Sequence, residues 1–168
     1  MNKYRCQQCG QEHDEWPALA FLSPVYYHSL AEEDKAERAE LGSDHCVIRW
    51  EDQTDRFIRV VLVIEVNDHC DNLEYGLWVS VSEASFSDYM DNYDPEADSK
   101  TYFGWLSSQL PDYEDMTRVP VTIQTQPDQQ RPLIYPHRDH EHALVKDFYE
   151  GISLPEAERR VAEMMAGR

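Results

Sequence analysis

Arg56-Phe57-Ile58-Arg59-Val60-Val61-Leu62-Val63-Ile64-Glu65-Val66 is the most apolar stretch of the chain and the richest in β-branched residues. Such side chains pack well on a pleated surface. Read with period two, Ile58, Val60, Leu62, Ile64 and Val66 form one wholly apolar face, while Phe57, Arg59, Val61, Val63 and Glu65 form a mixed one. This is the pattern of a long central strand with one face in the core and the other half covered.

The neighbouring segments extend a sheet from it. Upstream, Cys46-Val47-Ile48-Arg49-Trp50 reads as a short strand, joined to the central one by the polar turn 51–55. Downstream, residues 67–72 turn the chain, and Tyr75, Leu77, Val79 and Val81 then alternate with Gly76, Trp78, Ser80 and Ser82. That alternation predicts a third strand antiparallel to the second, with Gly76 admitting a neighbouring aromatic ring. Asp44-His45-Cys46 repeats as Asp68-His69-Cys70. A hairpin would bring the two to one end of the sheet, where a shared metal site and chance repetition are the competing readings.

Helices are expected around this sheet. Residues 29–41 read as a charged surface helix with a Ser29/Glu32 capping box and Gly42 as its stop. From Ser82, the spacing of Phe86, Tyr89, Met90 and Tyr93 predicts a helix with a core-facing stripe. The carboxylates at Asp88, Asp91, Asp94, Glu96 and Asp98 lack the glycine and glutamate spacing of a calcium loop, so they read as a solvated acidic segment. Residues 102–111, dense in aromatics, predict a short helix or turn that packs Tyr102, Phe103 and Trp105 over the sheet. If exposed, those rings would instead anchor a partner. Val119, Val121, Ile123 and Thr125 alternate as a strand, which Pro120 marks as an edge or a strand start.

Residues 131–135 continue from a Pro127-Asp128-Gln129-Gln130 turn. His137, His140 and His142 cluster but do not share one helical face. Gly151 ends a helix that begins near Asp139. Ser153 with Glu156 then caps a terminal helix buried through Leu154, Ala157, Val161, Met164 and Met165. The fold expected is α+β in a single domain spanning 1–168: a zinc-knuckle-like segment at 1–20, a mainly antiparallel twisted sheet at 44–135, and C-terminal helices at 139–168.

Charge narrows the function. Fifteen Lys and Arg face 33 Asp and Glu, a formal charge of -18. Such a field repels nucleic-acid backbones and anionic membranes and draws in basic proteins or cations, though a merely soluble surface has the same composition. There is no apolar signal-type segment at the start of the sequence and no apolar run near the ~20 residues of a membrane span. A cytoplasmic location is expected, with reduced or metal-bound cysteines.

Cys6-x-x-Cys9-Gly10 has the spacing of half a zinc knuckle, two thiolates wrapping one tetrahedral ion beside a permissive glycine. Free thiols or a redox pair are the other readings. His13 is the near candidate for a further ligand; Cys46, His45, Cys70, His69 and His28 are distant ones.

The order of motifs resembles a bacterial family catalogued as domain of unknown function 2199. The resemblance runs from Cys6-x-x-Cys9-Gly10-x-x-His13 and Pro17 through Asp44-x-Cys46-Val47-Ile48 and Phe57-Ile58-Arg59. It continues at Gly76-Leu77-Trp78-Val79-Ser80-Val81-Ser82-Glu83 and Phe103-Gly104-Trp105-Leu106-Ser107, with Leu110-Pro111. Arg131-Pro132-Leu133-Ile134, Glu141-His142 and Glu150-Gly151-Ile152-Ser153 close it. Arg49-Trp50 and the acidic segment depart from its pattern. The resemblance implies that Cys6, Cys9, His13 and Cys46 form one Cys₃His set on a structural Zn²⁺, and it implies no activity.

Two functions follow as expectations. The first is a non-catalytic acidic binding protein, an immunity-like inhibitor of a basic toxin or nuclease. The second is a zinc-dependent hydrolase with an open metal position, using Glu141/His142 or Asp44/His45 as acid and base. The chain has no His-Glu-x-x-His and no nucleophile elbow, which favours the first.

Overall fold

A computed structural model describes residues 3–5, 10, 12–14, 16–17, 19–91, 99–128 and 130–166. In chain order, β1 (Lys3–Arg5) and β2 (Glu12–Asp14) pair as a small antiparallel ribbon. Then come β3 (Leu19–Ala20), α1 (Val25–His28), α2 (Glu32–Arg38), β4 (Ala39–Leu41) and β5 (His45–Arg49). The long strands β6 (Thr54–Ile64) and β7 (Leu73–Val81) follow, with α3 (Glu83–Asp91) and β8 (Thr101–Leu106) after them. The chain ends with β9 (Pro120–Gln124), β10 (Leu133–Pro136), α4 (Ala143–Glu150) and α5 (Leu154–Ala166).

The predicted central strand is β6, and β7 pairs antiparallel along it from Arg56↔Val81 to Ile64↔Leu73. The sheet is curled rather than open. β7, β8, β9 and β10 follow one another antiparallel, and β10 returns to β6 in parallel at Leu133↔Val61, closing a small five-stranded barrel. Closure removes the unpaired backbone edges that an open sheet leaves. The period-two alternation of β6 is realised in space: Ile58, Val60, Leu62 and Ile64 fill the interior with Leu77, Val79, Leu106, Val121, Ile123 and Ile134. Leu144 and Val145 of α4 and Ala157 and Val161 of α5 join the same core.

The other face of β5–β6–β7 carries a second apolar cluster of Cys46, Ile48, Phe57 and Trp78, covered by Phe21, Tyr27, Leu30, Ala39 and Trp50. Trp78 fastens the covering segment by donating from Nε1 to the Phe21 carbonyl at 2.8 Å. The buried Ser107 and Ser108 complete the fastening: Val25 donates its N–H to the Ser107 carbonyl, and the Trp78 N–H donates to Ser108 Oγ.

Several local expectations are corrected. Residues 29–41 are not one helix. α2 starts after Ala31 without a side-chain cap, Ser29 Oγ donates to the Tyr26 carbonyl instead, and residues 39–41 leave the helix to pair with β5. The backbone of 39–41 gains a ladder partner across the hairpin at Gly42, which outweighs helical continuation. Gly76 admits not an aromatic ring but β3: a Cβ there would lie 3.1 Å from the Ala20 Cβ. The two Asp-His-Cys tripeptides sit apart, because Cys46 pairs with Phe57 in the first half of β6 while residues 68–70 follow its far end. Pro120 starts β9, as expected, but β9 is an interior strand between β8 and β10.

α5 is held by a charged network as well as by its apolar stripe. Arg160, 4% exposed, donates from Nε to Glu156 Oε1 at 2.9 Å, from Nη1 to the Tyr113 hydroxyl at 2.8 Å and from Nη2 to Asp147 Oδ2 at 3.2 Å. Tyr113 donates in turn to Asp147 at 2.6 Å, which ties α4, α5 and the 112–113 loop together. Burying a guanidinium requires such full pairing. Hydrogen bonds from Arg159, followed by those from Arg160, hold the Glu156 carboxyl down from 4.5 to about 2. A folded-state value below the unfolded one stabilises the protein above the unfolded value and is lost as pH falls through the folded value. Stability measured by urea unfolding therefore declines between pH 4.5 and about 2, and Glu156→Gln removes this part of the decline.

Candidate functional site

Of the aromatic rings exposed to solvent, Phe103, Trp105 and Tyr135 share the outer surface of β8–β9–β10. β8 alternates strictly: Gly104 and Leu106 are buried, while Phe103 and Trp105 are 48% and 45% exposed. Gly104 is required on the inside, because a Cβ there would lie 2.9 Å from both Ile123 Cδ1 and the Ser80 carbonyl oxygen. That close approach puts Phe103 and Trp105 on the opposite side of the strand. Their rings meet edge to face, with centroids 5.2 Å apart and planes at 87°.

The surface continues across the strands. The register aligns Phe103 with Thr122 and Thr122 with Tyr135, which is also exposed. His137 packs against Phe103 at 5.5 Å, and its Nε2 lies 3.2 Å from Thr122 Oγ1. The aromatic density of 102–111 predicts a short helix or turn packing these rings over the sheet; instead they stand on a strand and face solvent. The signal that would have found the strand is Phe103-Gly104-Trp105-Leu106 read with period two, with the small and aliphatic residues taking the inside.

Beside the rings lies a trough of about 370 Å³ lined by Asp55, Arg56, Ser80, Ser82, Phe103 and Trp105 among others. It forms where the start of β6, the end of β7 and the first turn of α3 converge. Ser82 caps α3, its Oγ accepting from the Ser85 N–H at 3.1 Å. Asp55 accepts from Trp50 Nε1 at 3.1 Å and from Gln53 Nε2 at 3.3 Å. Arg56 is held by the Thr54 carbonyl at 3.5 Å and lies 3.9 Å from Glu83. Two carboxylates thus offset one guanidinium around the trough.

A second hollow, about 540 Å³, lies along α4 and is lined by Arg138, His140, Glu141, His142, Lys146 and Tyr149 among others. His142, one of the two histidines in that lining, is committed to structure. The Leu144 N–H donates to His142 Nδ1 at 3.1 Å, so the neutral ring carries its proton on Nε2, which faces the carbonyls of Asp115 and Glu114 at 3.1 and 3.3 Å. His142 is the N-cap of α4, a role usually taken by Ser, Thr, Asp or Asn.

The sequence-predicted metal residues fall as follows. Cys6 and Cys9 lie outside the described residues, and His13 is in β2 with only its backbone described. Cys46 is fully buried among Ile48, Phe57 and Trp78. Burial, with a smaller contribution from Glu40, pushes its thiol up to about 12. Cys70 is half-buried, next to His69, whose ring lies 5.0 Å from that of Trp16. Among the described residues, no group of three His, Cys, Asp or Glu side chains is arranged to hold a metal ion.

A family model described as an uncharacterized protein conserved in bacteria (DUF2199) matches residues 5–152. No curated protein and no solved structure matches the chain. Among the described residues, no helix is long and apolar enough to cross a membrane.

Two outcomes test this geometry. Gly104→Ala forces β8 away from β7 and lowers unfolding free energy by about 1–3 kcal/mol in urea titration. Cys46 stays unmodified when the folded protein is treated with iodoacetamide near neutral pH, and becomes labelled only in denaturant, as peptide mass mapping would report.

Proposed function

The chain belongs to the DUF2199 family, described only as uncharacterized, and we propose from its own residues that it is a non-catalytic acidic binding protein. Its partner is a basic protein, and the specific reading is an immunity-like inhibitor of a basic toxin or nuclease in the cytoplasm. The observation that carries this reading is the exposed Phe103–Trp105 pair on a rigid strand of a chain with formal charge -18. Aromatic side chains are enriched at interface hot spots, and a strongly negative field speeds encounter with a basic surface.

Zinc belongs to the same proposal as a staple for the N-terminal segment, with Cys6, Cys9 and His13 as ligands and Cys46 as the fourth. Cys46 fits this role poorly where it stands, since its neighbours are apolar. The Trp16–His69 contact supports the turn carrying His69 and Cys70 as the other source of a ligand. Zinc content of Cys6→Ser, Cys46→Ser and Cys70→Ser proteins separates these assignments.

The hydrolase reading gains no support from the proposed acid–base pairs. Both His142 nitrogens are engaged by backbone groups, and Asp44 accepts from Arg131 Nε at 2.8 Å and from Ser43 Oγ at 2.9 Å. Neither residue is poised to relay a proton.

The test of the binding reading is titration with a small basic protein at low and at high salt, followed by calorimetry. Binding that weakens steeply with salt, and falls by roughly tenfold or more in Trp105→Ala, supports it. Absence of binding at low salt overturns it.

A further inference from the structure

We infer that the trough beside Trp105 seats an arginine side chain of the basic partner; this rests on the binding reading above and adds the identity of the contact. The walls have the required shape. Phe103 and Trp105 stand perpendicular, with ring centroids 5.2 Å apart, so a flat group lying on the indole is flanked by a second ring at right angles to it. A guanidinium is planar, weakly hydrated for a cation, and stacks on aromatic faces, whereas an ammonium is a compact, strongly hydrated point charge.

The trough also has the acceptors that a guanidinium fork requires. The Asp55 carboxylate has about four lone-pair sites, of which Trp50 and Gln53 occupy two. Ser80 and Ser82 add hydroxyl oxygens to the same lining. Ser80 lies directly opposite Trp105 in the ladder, so its hydroxyl stands beside the indole. Among the described residues Arg56 is the one lining cation, and Glu83 lies close to it. The balance of Asp55 and Glu83 over Arg56 keeps the trough negative, in line with the excess of carboxylates over the whole chain. An acidic peptide would meet that field unfavourably.

The experiment compares two short peptides of identical length and charge, one containing only arginine and one only lysine as its basic residues. They bind to the full chain at low salt, followed by the indole N–H signals in ¹H–¹⁵N spectra. The Trp105 signal is assigned by its loss in Trp105→Phe. The expected result is that the arginine peptide shifts the Trp105 signal and binds roughly tenfold tighter than the lysine peptide. Trp105→Ala and Asp55→Asn abolish that preference, while Trp105→Phe, which keeps a ring, retains part of it. Thermal melts confirm that each variant is folded; should Asp55→Asn fail to fold, the Trp105 variants alone decide. Equal binding of both peptides, unchanged in Trp105→Ala and removed by salt, overturns the arginine seat and leaves the acidic-field reading standing. A shift of the Trp105 signal by an acidic peptide but not by a basic one overturns both.

Discussion

β6 must satisfy the backbone groups of one edge with two different strands. Its first half pairs antiparallel with β5, and its second half pairs in parallel with β10. The two partners diverge between Arg59, whose N–H reaches the Asp44 carbonyl, and Val61, whose N–H reaches the Pro132 carbonyl. The divergence is held by charge. Arg59 donates from Nη1 to the Ser43 carbonyl at 3.1 Å, and Arg131 bridges from the start of β10 to Asp44 on the β5 side. Arg59 is 8% exposed, lies across the Trp78 ring and has no partner for its Nε among the described residues. Burial, and then the nearby Arg131, lower its proton affinity. A buried guanidinium with an unmet donor costs free energy, and the cost sits where the barrel would otherwise open.

The same chain handles charge in two opposite ways. Inside, around Arg160, carboxylates and a phenol are matched to guanidinium donors at hydrogen-bonding distances. Outside, carboxylates far outnumber bases, and most exposed ion pairs are single contacts of modest worth. The interior network therefore orients α4 and α5, and the exterior excess acts at a distance. An exposed aromatic pair set in that excess combines short-range adhesion with long-range attraction to bases.

Much of the strand content was legible because period-two patterning reports burial directly. The faces of β6 and β7 and the stripe of α5 follow from Ile58 to Ile64, Leu77 and Val79, and Ala157 and Val161. What patterning does not encode is which strand lies next to which, so the parallel return of β10 to β6 was invisible. The exposure of the β8 rings is hidden for a related reason. Phe103 and Trp105 have the hydrophobicity of core residues, and only the steric demand of Ile123 and Ser80 on Gly104 turns them outward. Ala39 to Leu41 has a helical composition, and a ladder partner across Gly42 overrides that local preference. At His142 the imidazole replaces the usual short polar cap, which makes the N-terminus of α4 hard to recognise.

The return of β10 to β6 also has a consequence in time. The β6–β7 hairpin is complete in the emerging polypeptide long before Leu133 leaves the ribosome, so its free edge waits for a distant segment. Topologies whose decisive contact joins remote positions fold slowly, since the loop entropy is lost before the contact rewards it. A nascent chain stalled between β7 and β10 exposes a long, apolar, hydrogen-bond-hungry ribbon, the kind of surface that chaperones shield and that otherwise nucleates aggregates.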